Sequence, residues 1–168
     1  MPESNQFLFF FSALGAFNGL LLSLYFAINT KKKFADYFLS LLLLVLSIRI
    51  AKSVFFYFNP RLSNTFIQIG LSACVLIGPF LFLYLKSYRK DEKSDWTKHI
   101  IPALIGITIL GYFYPYVEHR TVWSRWIVKA IYLQWLLYII LSFKYIRPVI
   151  QKIKEEGSLE KADVWITC

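Results

Sequence analysis

An all-α, polytopic bundle of five membrane-spanning helices is the fold class this sequence predicts, on three observations. The 168 residues are 57% hydrophobic and 19% aromatic, with a mean hydropathy of +0.51, whereas a soluble domain is roughly 45–50% apolar. The charges are clustered, leaving five uncharged or nearly uncharged windows of about 20 residues, the length that crosses a ~30 Å hydrocarbon core as a helix. Backbone exposed to lipid must satisfy its own hydrogen bonds, which excludes isolated strands.

The first span is read from about Leu8 to Ile28 and closes on "NTKKK". The preceding "MPESNQF" has no basic stretch and no small-residue cleavage site follows, so this span is expected to stay in the membrane rather than leave as a signal peptide. Span two runs from about Tyr37 to Phe58 and stops at "NPR", a turn signal. Span three covers about Phe66 to Leu85 and gives way to the charged loop "KSYRKDEKSDWTK". Span four, about Ile100 to Val117, is shorter, and span five runs from about Trp126 to Phe143. Residues 1–146 then form the membrane domain and 147–168 a polar tail. Its "ADVWI" reads as the first turn of a further helix with Trp165 at the interface, so the chain is expected to be cut short there.

Flanking cations orient the bundle. Thirteen Lys and Arg lie on one side, in Lys31–Lys33, Lys86–Lys98 and the residues from Lys144 onward, against Arg61, Arg120 and Arg125 on the other. The N-terminus is therefore expected outside and the C-terminus in the cytoplasm. Tyr112, Tyr114, Tyr116, Trp123 and Trp126 gather at the outer boundary, and Tyr84, Tyr88 and Trp96 at the inner one. Such rings favour the interface because one part is apolar and another wet. The net charge of +9 sits mostly in these juxtamembrane patches, a distribution that suits a lipid bilayer and argues against nucleic acid as a partner.

The sequence carries no sign of catalysis or of a cofactor. No HExxH, nucleophile elbow, glycine-rich phosphate loop or CxxC is present. His99 and His119 flank span four, and Cys74 and Cys168 show neither disulfide nor metal spacing.

Three features stand out within the spans. In span one, Gly15, Gly19, Ser23 and Ala27 recur every fourth residue and form a slowly drifting stripe of small side chains. Such stripes let another helix come close, either a neighbouring span or span one of a second copy. In span three, Pro79 cannot donate to the carbonyl of Val75, and Gly78 precedes it, so a bend is expected there. In span two, Arg49 and Lys52 interrupt "LLLLVLSIRIAKSVFFYF" and share a helix face. Arg49 lies nine residues below Phe58, or ~13 Å, near mid-membrane, where a cation costs at least ~2.5–3.5 kcal/mol. No Asp or Glu lies within any span. Two readings remain open: Arg49, Lys52 and Lys129 line an outward-facing pocket for an unknown anionic or polar small ligand, or they snorkel and pair structurally.

Several segments together resemble one family. "NGLLLSLYFAINTKKKFADYFLSLLLLVLSIRIAKSVFFYF", "LIGPFLFLYLKS", "KHIIPAL" and "EKADVWI" are similar, in order and spacing, to the first, second, third, fourth and sixth spans of bacterial membrane-anchored AraC-type transcriptional regulators. The resemblance implies a multi-pass inner-membrane sensor or anchor that precedes a cytoplasmic helix-turn-helix domain. That domain does not occur in these residues, so no DNA-contacting residue transfers. A small transporter for an anionic solute and an inert gene fragment are the competing readings.

Overall fold

The structure is a computed structural model. It describes residues 3–29, 34–59, 63–89, 95–116 and 118–166, and for 3–5, 89 and 148–166 the backbone alone. Lys31, Lys32, Lys33, Pro60, Arg61, Lys90, Lys93, Val117 and Cys168, used above for orientation, boundaries and cysteine chemistry, lie outside the described residues.

Every regular element among the described residues is helical: α1 (Glu3–Ile28), α2 (Phe34–Phe58), α3 (Asn64–Arg89), α4 (Thr97–Phe113), α5 (Arg120–Val122), a π-helical segment (Trp123–Ile127) and α6 (Val128–Ile166). Four stretches among them are long and apolar enough to cross a membrane: Gln6–Ile28, Phe34–Phe58, Asn64–Tyr88 and Arg120–Arg147.

The helix ends follow local chemistry. Helix α1 begins at Glu3, earlier than the apolar run. Asp36 lies in the first turn of α2, where a carboxylate suits the positive end of the helix dipole. That helix stops where Asn59 precedes a proline, its N–H closing on the Phe55 carbonyl at 2.9 Å. Helix α3 starts on a side-chain cap: Ser63 Oγ accepts the Phe66 N–H at 3.3 Å.

Helix α4 ends at Phe113, short of the expected Val117. Pro115 forces Tyr114 away from helical geometry, to φ −128° and ψ 74°. The 17 residues of α4 span only ~25 Å, which is why it stands apart from the four longer stretches. At its start, Lys98 Nζ donates to the exposed Asp95 at 2.6 Å, and this bond holds the Asp95 carboxyl below the usual range.

The last apolar helix starts at Arg120 rather than near Trp126, because Arg120 and Arg125 are accommodated on helix rather than in loop. Helix α6 then continues unbroken to Ile166, through the residues read from sequence as a polar tail.

Helix α3 is the centre of the bundle and packs against α2, α4 and α6, while α1 packs against α2. Two buried apolar clusters lie along it. One contains Phe38, Leu42, Val45, Ala73, Phe80, Phe82, Leu83 and Ile100. The other contains Ile67, Leu71, Cys74, Val75, Ile107, Trp123 and Ile131. The periphery is the reverse of a soluble surface: Phe7, Phe11, Phe17, Leu24, Leu133, Leu137 and Ile140 are all exposed. Contiguous apolar surface on this scale needs a non-aqueous neighbour.

The small-residue stripe of α1 divides between two environments. A Cβ on Gly19 would lie 2.4 Å from Ser47 Oγ of α2, so glycine is needed for this approach. One turn further, Ser23 and Ser40 are buried and exchange hydrogen bonds, each hydroxyl donating to the other's backbone carbonyl at 2.9 and 2.8 Å. Gly15 meets nothing within 4 Å, and Ala27 is exposed. Gly19 and Ser23 thus pack within the chain.

Candidate functional site

Helix α2 presents Arg49 to a cleft of about 570 Å³ whose walls come from α1 (Leu8, Phe9, Ser12), α2 (Leu46 to Phe58), α3 (Ile77) and α6 (Trp135). This volume is within the ~300–1,000 Å³ typical of small-molecule sites. Arg49 is half-buried and is the one charged residue among the described residues that line the cleft. Its guanidinium donates to Ser53 Oγ, one turn further along α2, and Ser53 donates back to the Arg49 carbonyl at 3.2 Å. No carboxylate among the described residues pairs with it. A guanidinium carries five donors in a planar fork, so the bond to Ser53 leaves donors available to the cleft.

The other two cations of the expected pocket go elsewhere. Lys52 turns toward α3, where its stem fills the notch that Gly70 leaves; a Cβ there would lie 2.3 Å from Lys52 Cγ. Its ammonium sits 5.6 Å from the centre of the Phe56 ring, and the Arg120 guanidinium lies 5.8 Å from the same ring. Lys129 is exposed on the first turn of α6 and lines neither this cleft nor the α3–α4 groove around Gln68. Of Arg49, Lys52 and Lys129, only Arg49 faces the cleft.

The back wall of the cleft is also the joint between α3 and α6. Helix α3 runs on through Pro79, which is fully buried. Proline leaves the Val75 carbonyl without its helical donor, and Gln134 of α6 supplies one, Nε2 donating to Val75 O at 3.3 Å. The next residue, Trp135, donates from Nε1 to Cys74 O at 2.7 Å. A neighbouring helix that satisfies freed carbonyls is what makes proline tolerable inside a span. Gly78 completes the joint: a Cβ there would meet the Tyr138 ring at 3.0 Å, so its absence lets α6 seat against α3. Gly78 and Pro79 therefore act as a docking point for α6.

Sequence reasoning singled out Arg49 but missed Ser12, Ser53, Gln134 and Trp135. Two of these had a signal: Ser53 is four residues from Arg49 on one helix face, and the carbonyl freed by Pro79 requires a donor, for which Gln134 is an uncharged mid-span candidate. Ser12 and Trp135 reach the cleft only through tertiary packing. In comparisons with known proteins, no family model matches this chain, and no curated protein and no solved structure matches it.

Proposed function

We propose that the chain is a non-enzymatic, multi-pass module of a bacterial inner membrane that senses a small ligand, with five spans, its N-terminus outside and its C-terminal helix in the cytoplasm. The four long apolar helices and their exposed apolar periphery support membrane residence. The fifth span assigns the 17-residue α4 to the bilayer, at the lower limit of spanning length, and the orientation rests on the Lys and Arg asymmetry. Its role as the sensory or anchoring part of an AraC-type regulator rests on the sequence resemblance alone.

The observation that carries the sensory reading is the double use of Trp135, which lines the Arg49 cleft and donates a hydrogen bond across the α3–α6 joint. A ligand shifts a helix arrangement only if it binds two arrangements with different affinity, and a cleft whose wall is the joint provides that difference.

The test needs no ligand. Spin labels at Tyr88→Cys on α3 and Lys144→Cys on α6, in a Cys168→Ser background, report the distance between the ends of these helices in nanodiscs. Ile50→Trp, which fills the cleft, is expected to shift that distance, while Ile140→Trp on the exposed face of α6 leaves it unchanged. Equal distances in both variants would refute the sensory reading. An alkaline phosphatase tag at the N-terminus and a fluorescent protein at the C-terminus test the topology separately: both must be active, and activity of only one defeats it.

A further inference from the structure

We infer that the Arg49 cleft binds one elongated, singly anionic amphiphile, its carboxylate or phosphate on the guanidinium and its apolar body along α2. This rests on the reading of the chain as a membrane module and names the ligand class of its site.

Three features select the class. The cleft follows α2 from Leu46 to Phe58, twelve residues or ~18 Å, so its shape suits a chain-like molecule. Its lining is apolar apart from Ser12, Arg49, Ser53, Tyr57 and the engaged indole of Trp135, so the body of the ligand must be apolar. Its charge is that of a single guanidinium with open donors, and no carboxylate among the described residues neutralises it. A planar fork pairs in two-pronged fashion with a carboxylate or phosphate. Lys52, held over Gly70 and Phe56, contributes no second charge, so a dianion would carry an uncompensated charge into an apolar site. The anion would occupy the position that a counter-ion must fill beside a mid-membrane Arg.

The same chemistry occurs in a free single-chain acid and in a bilayer phospholipid. The depths differ: Arg49 lies ~13 Å from the Phe58 end of α2, whereas a phospholipid in the bilayer keeps its phosphate at the interface. Depth favours the free amphiphile.

The experiment measures binding of radiolabelled decanoate to purified protein in a maltoside detergent, with unlabelled competitors. Saturable binding of one decanoate per chain is expected, displaced by the singly charged diester methyl decyl phosphate and not by decanol or decyltrimethylammonium. Arg49→Met should weaken it about tenfold or more, the loss expected for a charge-assisted hydrogen bond, and Ile50→Trp should abolish it by filling the cleft. Displacement by phosphatidylglycerol at matched concentration would assign the occupant to the bilayer, and lack of displacement to a free acid; either supports the site. Decanol competing as well as methyl decyl phosphate, or binding untouched by Ile50→Trp, overturns the inference. The wild-type comparison of decanoate with decanol keeps the test decisive if Arg49→Met fails to fold. Failure of the membrane reading is recognised separately, as a chain that leaves membranes on carbonate washing.

Discussion

Gln134→Leu removes the donor that reaches the Val75 carbonyl, and Pro79 is the reason that carbonyl needs one. The two residues should therefore be energetically coupled although they lie on different helices. Side-chain hydrogen bonds between membrane helices contribute about 0.6 kcal/mol on average and up to about 1.7. The accepting carbonyl belongs to the buried Val75, which places Gln134→Leu toward the upper part of that range, about 1 kcal/mol. Pro79→Ala returns an N–H to position 79 and so restores the ordinary helical partner of Val75. In that background Gln134→Leu should cost little, giving a coupling of about 1 kcal/mol once the effect of Pro79→Ala itself cancels in the cycle. Steric trapping of the four proteins in bicelles measures each unfolding free energy. Equal costs of Gln134→Leu in both backgrounds, within about 0.3 kcal/mol, would refute the assignment of Gln134 as the substitute donor and leave α3 with an unsatisfied carbonyl.

Two further contrasts test the packing. Gly19→Ala places a methyl group against Ser47 and should destabilise by about 1–3 kcal/mol, whereas Gly15→Ala meets nothing within 4 Å and should be neutral or stabilise by up to about 1 kcal/mol through helix propensity; thermal melts in detergent separate them, and equal shifts would contradict the α1–α2 approach. Gly70→Ala collides with the Lys52 stem and should destabilise by about 1–3 kcal/mol, with much of the loss recovered in the Lys52→Ala, Gly70→Ala double variant; the absence of any recovery would show that Lys52 does not occupy the notch.

Much of the architecture is legible in the sequence because charge is excluded from long apolar runs, and a helix is the economical way to cross lipid. The errors lie where a local rule outweighed hydropathy. Pro115 ended α4 four residues before hydropathy would, and Arg120 and Arg125 read as loop residues although helix ends carry long cations well. Within the site, Arg49 was visible as a charge in an apolar run, but the partition of the three cations was not. Lys52 is turned away by Gly70, a residue distant in sequence that becomes a notch only when α2 and α3 pack. The stripe of α1 was half legible for a geometric reason: each four-residue step advances about 400°, so Gly15 and Ala27 drift about 120° apart. The middle members, Gly19 and Ser23, meet α2, and the outer ones rotate off the contact.

The unbroken course of α6 from the π-helical segment to Ile166 means that bilayer and far end share one rotational register. A turn imposed at Trp135 would reach Ile166 as the same angle, with no loop to absorb it. Helix geometry then sets a phase rule for anything joined beyond Ile166: each inserted residue re-aims it by about 100°, while seven residues return it nearly to its starting azimuth.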